Sequence, residues 1–154
     1  ALIVGNPDMI VTNRRLNAAL NTLKFYNIAL KKEHMVYGAY AYLESGYSAM
    51  EKLLNSKPIP TAVFAFNDMM AIGALKCIQD KGLKVPSDIS IVGFDNIPMS
   101  EYFSPGLTTV HQPSRETAES AAKMLLEQIE KPHIPIRKAL LPAQLIVRGS
   151  TAKV

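Results

Sequence analysis

The sequence predicts an α/β fold, a parallel doubly wound sheet flanked by helices. Three observations carry this prediction. Two apolar runs, Thr-Ala-Val-Phe-Ala-Phe at 61–66 and Ile-Ser-Ile-Val-Gly-Phe at 89–94, are rich in β-branched and aromatic residues and have the length of strands buried on both faces. A helical pattern separates them, as a parallel crossover requires. Each run stops at a polar step, Asn67-Asp68 and Asp95-Asn96. A parallel sheet sets Asn67 and Asp95 at one edge, the carboxyl ends of the strands, where open α/β sheets bind ligands.

The remaining elements follow in order. Leu2–Val4 reads as a short buried strand, closed by the turn cluster Gly5-Asn6-Pro7-Asp8. Thr12 or Asn13 is placed to cap a helix running to about Lys24, with Leu16, Ala19, Leu20 and Leu23 on one face. Asn27 suits its exit. A weak strand covers His34–Tyr37. Ser45 is placed to cap the next helix, whose inward residues are Tyr47, Met50, Leu53 and Leu54; Pro58 and Pro60 close the unit. Asp68 opens a helix to about Lys81 with Ala71, Ile72, Leu75 and Ile78 buried, stopped by Gly82 with Leu83 as the hydrophobic contact beyond it. After Asp95 the pattern changes. A loop carrying Ser100, Tyr102 and Phe103 leads to a strand, Leu107–Val110, and Gln112-Pro113-Ser114 precedes a long helix to about Glu130. Its apolar positions are Ala118, Ala121, Ala122, Leu125 and Ile129. The tail from Ala139 to Val147 reads as two strand pieces split by Pro142.

Composition narrows the function classes. The chain has 154 residues, 48% hydrophobic and 19% charged, enough for one domain with a real core. No apolar run approaches the roughly 18 residues of a membrane span, so no membrane association is expected. The net charge of +4 is scattered, without a basic stripe, which argues against nucleic-acid binding by this segment itself. The single cysteine, Cys77, lies in a helix interior and reads as a packing thiol. The first residues, Ala-Leu-Ile-Val-Gly, look like an interior strand, as expected of a fragment that begins mid-protein.

Enzyme signatures are poor. His34, His111 and His133 lack metal-type spacing. No phosphate loop or dinucleotide fingerprint follows a strand, and no Gly-x-Ser-x-Gly elbow occurs. No catalytic residue, metal or cofactor is expected. The polar turns instead suit a neutral polyhydroxyl ligand or a nucleobase: Asn67 offers donors and an acceptor, and Asp95 offers acceptors. Arg15, at the start of the first helix, is placed to reach over the same edge. Asp68 reads as a helix N-terminal cap. Taken singly, Asn67 and Asp95 are equally well explained as turn braces; together they form a constellation.

Four segments resemble the lactose-repressor (LacI/GalR) family of bacterial transcription regulators. They are Phe66-Asn-Asp-Met-Met-Ala-Ile-Gly73, Val85-Pro-Ser-Asp-Ile-Ser-Ile-Val-Gly-Phe-Asp-Asn96, Pro105-Gly-Leu-Thr-Thr-Val-His-Gln-Pro113 and Leu141-Pro-Ala-Gln-Leu-Ile-Val-Arg-Gly-Ser-Thr151. They fall in the family's order and span nearly the whole chain. The Asn-Asp and Gly-Phe-Asp patterns also occur in periplasmic sugar-binding proteins of transport systems, which is the alternative reading; the other patterns favour the repressors. An enzyme on a doubly wound sheet is a third class.

The resemblance implies a type I periplasmic-binding-protein-like C-terminal lobe over 1–112. A crossover at 113–141 belongs to the N-terminal lobe in the family, and a return strand occupies 142–154. Most of the N-terminal lobe and the DNA-binding headpiece would lie outside this chain, so operator DNA is reached only through that headpiece. It implies a cytoplasmic homodimer sensing a sugar or related small polar effector. Arg15, Asn67, Asp95 and Gln112 match the family's effector contacts, and the stacking aromatic falls at Tyr40 or Tyr42, on either side of Ala41. Met69, Met70 and Phe103 match its dimer face. The long helix at 114–130 would lack its native partner, and is expected to pack on a second copy or fold back on its own sheet.

Overall fold

The computed structural model describes residues 1–38 and 42–153. One six-stranded sheet runs through it in the order β2-β1-β3-β4-β5-β6. The strands are β1 (Leu2–Val4), β2 (Met35–Tyr37), β3 (Ala62–Ala65), β4 (Ser90–Asp95), β5 (Thr108–His111) and β6 (Gln144–Ile146). The first five are parallel and β6 pairs antiparallel to β5. The helices are α1 (Ile10–Phe25), α2 (Leu43–Leu54), α3 (Asp68–Asp80), α4 (Met99–Tyr102) and α5 (Ser114–Glu130). The chain steps from β1 to β2 in one direction and then returns past β1 to β3, so β1 and β3 flank the topological switch point.

Right-handed crossovers put α1 on one face and α2 with α3 on the other. The second face is the better covered. Ala49, Met50 and Leu53 of α2 and Met70, Ala71, Ile72, Ala74, Leu75 and Ile78 of α3 are all buried. The two helices touch through glycines: a Cβ at Gly46 would overlap the Met70 carbonyl, and one at Gly73 would overlap the Leu43 carbonyl. The α1 face is thinner, since Leu16 and Ala19 are only partly buried against the core and Leu20 is exposed. This corrects the expectation of continuous burial on both faces. It holds for β1, whose three residues are all buried. In β4, Ile91 and Gly93 are buried while the alternating Ser90, Val92 and Phe94 are half-buried.

Two helix exits follow their local chemistry. At Gly82, φ is +76°; its N–H bonds the Gln79 carbonyl, and the Leu83 N–H bonds the Ile78 carbonyl. Asn27, at φ +54°, makes the same pair of bonds after α1, to Lys24 and through Ile28 to Leu23. The predicted starts were less accurate. α1 begins at Ile10 with Met9 in the cap position and no side-chain cap bond. Thr12 lies buried inside it, and Asn13 Nδ2 donates back to the Pro7 carbonyl at 2.9 Å. α2 starts at Leu43, so Ser45 falls within its first turn. In the tail only Gln144–Ile146 joins the sheet; the piece before Pro142 forms no strand.

The chain end anchors between β4 and β5. Ser150 Oγ donates to the Ile91 carbonyl at 2.7 Å and accepts from the Thr108 N–H at 2.8 Å. α5, by contrast, has no buried residue. It does not fold back onto the sheet, which removes one of the two arrangements expected for it. Gln128 Nε2 holds the following strap instead, donating to the Pro132 and Ile134 carbonyls.

Candidate functional site

The carboxyl edge of the sheet gathers residues at or after the ends of β1, β4 and β5. Arg15 comes from α1, after β1. Its Nη1 donates to the Phe66 carbonyl at 2.5 Å, which fixes it across the switch point beside the end of β3. Its Nη2 lies 3.6 Å from Asp95 Oδ1, and its guanidinium carbon sits 3.7 Å above the centre of the Phe94 ring. Gln112, just past β5, donates from Nε2 to the same Asp95 oxygen at 2.6 Å. Three of the sequence-predicted residues, Arg15, Asp95 and Gln112, thus form one cluster.

Burial governs the charges there. It pushes the Asp95 carboxyl above its ordinary value, while the neighbouring Arg15 and the Gln112 hydrogen bond pull it back down. The Arg15 guanidinium is itself lowered by burial, opposed by Asp95. The opposite charges of the pair offset each other, and the Arg15 and Asp95 side chains stay 21% and 33% exposed. Such a surface suits hydroxyl groups better than a charged ligand.

Asn67 stands at the end of β3 and serves as the N-cap of α3, its Oδ1 accepting the Met70 N–H at 2.8 Å. The cap engages the carbonyl end; Nδ2 has no hydrogen-bond partner among the described residues. Tyr42 lies in the cap position of α2, on the loop after β2 at the same sheet edge, and is exposed. Tyr40 lies outside the described residues. Beside Phe94 and Gln112, an open cleft of about 480 Å³ continues along α5, bordered by Thr117, Ala121, Met124 and Leu140.

Asp68 is not the simple cap that the sequence suggests. It is fully buried and receives three donors: the Ile97 N–H at 2.9 Å, Ser100 Oγ at 2.5 Å and Thr109 Oγ1 at 2.5 Å. It therefore ties α3 to α4 and to β5, directly beneath the site. Gly93 passes close enough that a Cβ there would overlap Asp68 Oδ1. No local pattern announces this, because the three donors lie 29 to 41 residues away in sequence. Asn96, His111 and Arg148, also missed by sequence reasoning, line the back of the Asp95 turn.

The expected interface residues separate. Met70 is 0% exposed, a core residue of this lobe that presents no surface, so its placement on a dimer face is corrected. Met69 is half-buried. Phe103 borders an apolar groove of about 360 Å³ between α2 and α3 with Leu43, Tyr47 and Ile72. Cys77 is buried, and burial raises its thiol, in keeping with a packing role. No group of three or more potential metal ligands occurs among the described residues, and no described helix is long and apolar enough to cross a membrane.

Comparison with known proteins places this geometry. The sequence profile of the periplasmic binding protein-like domain matches residues 1–151. The HTH-type transcriptional repressor CytR of Escherichia coli (strain K12) is 38% identical over 149 residues, covering 97% of this chain and 43% of that protein. A LacI family transcriptional regulator from Enterococcus faecium, solved with bound ribose, superposes with a TM-score of 0.86 at 32% identity, over 98% of this chain and 56% of that one. The lac repressor dimer bound to operator and the anti-inducer ONPF superposes with a TM-score of 0.89 at 30% identity, over 98% of this chain and 51% of that one. The chain thus spans about half the length of the proteins it matches. With nearly every residue inside the profile and repressors among its relatives, the chain belongs to the periplasmic binding protein-like domain family, as an effector-binding domain of the LacI/GalR regulators.

Proposed function

We propose that this chain is the effector-sensing C-terminal lobe of a bacterial transcription regulator that responds to a sugar or related small polar molecule. One observation carries the reading: Arg15, Asp95 and Gln112 converge at the carboxyl edge of the sheet, beside its switch point. Repressor relatives and a ribose-bound structural neighbour support a regulator over a transport protein. Residues 1–112 form the lobe, 113–141 belong with an N-terminal lobe, and 142–154 return. The open cleft beside Gln112 and the bare face of α5 fit that division.

In this reading the effector sits between the lobes, and Asp95 Oδ2, Arg15 and the free amide of Asn67 bind its hydroxyls. Tyr42, exposed on the loop at this edge, covers an apolar ring face. Closure biases a dimer toward one arrangement only if the effector binds the two arrangements with different affinity. The dimer face runs over Met69 and the Phe103 groove. DNA is contacted through a separate headpiece, and the protein acts in the cytoplasm as a binding protein without catalysis.

The test is effector screening on the full-length protein by thermal shift, followed by calorimetry on the hit. Asp95→Ala and Asn67→Ala should each weaken binding roughly 10- to 100-fold, the range of a lost hydrogen bond to a charged or buried group. Wild-type affinity in both variants would overturn the site.

A further inference from the structure

We infer that Asn96 is a positioning residue that holds Asp95 in place and couples it to both chain crossings of the lobe, through His111 on the outgoing side and Arg148 on the returning side. The inference rests on the reading of Asp95 as an effector contact. It starts from the backbone. Asp95 and Asn96 have φ values of +119° and +55°. Two consecutive non-glycine residues in this region persist only where the surroundings over-determine them.

Asn96 supplies that constraint with its backbone N–H and both ends of its side-chain amide. Its N–H donates to Thr109 Oγ1 at 3.3 Å. That hydroxyl gives its own proton to buried Asp68, so its lone pair is turned toward Asn96. Asn96 Oδ1 accepts from Arg148 Nη2 at 2.8 Å. Arginine has only donors, which fixes the orientation of the amide. Nδ2 therefore faces His111 Nδ1 at 3.2 Å; it can only donate, so His111 accepts at Nδ1 and carries its ring proton on Nε2.

The two partners are where the chain leaves and re-enters the lobe. His111 is the last residue of β5, directly before Gln112, and pairs across the ladder with Asp95 on one side and Gln144 on the other. Arg148 lies two residues past β6, and its Nη1 also grips the Leu107 carbonyl at 2.8 Å. A displacement of either crossing is thus transmitted to the residue adjacent to Asp95, and a ligand that moves Asp95 pulls on both crossings. The coupling has a physical path of contiguous hydrogen bonds.

The experiment uses the full-length protein, with hydrogen exchange by mass spectrometry and ribose as the calorimetric probe. Asn96→Gly keeps the positive φ without strain and removes only the side chain. It should accelerate exchange about tenfold or more in peptides covering 107–112 and 143–148, with α2 and α3 unchanged, and weaken ribose about tenfold at unaltered melting temperature. Asn96→Asp should restore both properties, because a carboxylate accepts from Arg148 and from a His111 whose ring proton has moved to Nδ1. Unchanged exchange at both crossings in Asn96→Gly would overturn the inference, as would failure of Asn96→Asp to restore it. If wild type does not bind ribose, or Asp95→Ala binds it unchanged, the effector-site reading fails for that sugar, while the exchange data still decide the role of Asn96.

Discussion

At Asp95 two effects oppose each other, and burial is the larger. The folded state therefore holds this proton more tightly than the unfolded chain does. Stability is then lost as pH rises from the ordinary carboxylate value of 3.8 through the raised one, and the penalty is complete above it. Asp95→Asn should melt higher than wild type at neutral pH, with the gap closing in acid below the ordinary value. Melting curves across pH check this; a variant that melts lower at neutral pH would mean that the Arg15 pairing outweighs burial. Beneath it, Asp68 is satisfied by three donors and cannot yield. Gly93→Ala should therefore cost about 2–4 kcal/mol in urea unfolding. Residue types at the strand ends were legible in the sequence, since a hydrogen-bonding residue closing an apolar run marks the sheet edge. Their partners were not. Asp68 as a buried bracket and Asn96 as a latch depend on groups distant in sequence, whereas the Asn67 cap takes the Met70 N–H three residues on.

Among the elements, α2 and α3 are the most tightly joined, and they join through backbone. Gly46 and Gly73 allow each helix to press on the other's carbonyls. Ala at either position has no flexible side chain to displace, so Gly73→Ala should destabilise by about 3 kcal/mol, measured by chemical denaturation. Helix ends divided by mechanism. The exits at Asn27 and Gly82 were readable, because a left-handed residue followed by an apolar one is a local signal. The starts of α1 and α2 were not, because neither cap position carries a side-chain cap bond and tertiary contacts decide where those helices begin. Of the two strand pieces expected on either side of Pro142, only the one after it forms, Gln144–Ile146 paired with β5.

For the whole molecule, the unbalanced feature is α5. It carries Leu125, 62% exposed, and Ile129, 65% exposed, on a helix with no buried residue. Expressed alone, the 154-residue chain should self-associate through this face, and sedimentation should show a concentration-dependent dimer. Leu125→Lys with Ile129→Lys should return it to monomer. A wild-type chain that stays monomeric at all concentrations would refute the self-association expected for α5. The sequence by itself determined the alternation of the main strands and helices, the parallel arrangement of the first five strands and the edge that bears polar residues. Apolar periodicity and turn chemistry are local properties that survive without a partner. Only the tertiary structure decided which polar groups stand open at the sheet edge and which face one another. Arg15 meets Asp95 across 80 residues of chain, and Asn96 meets Arg148 across 52. Such pairings arise when the sheet closes and brings distant strand ends to one edge.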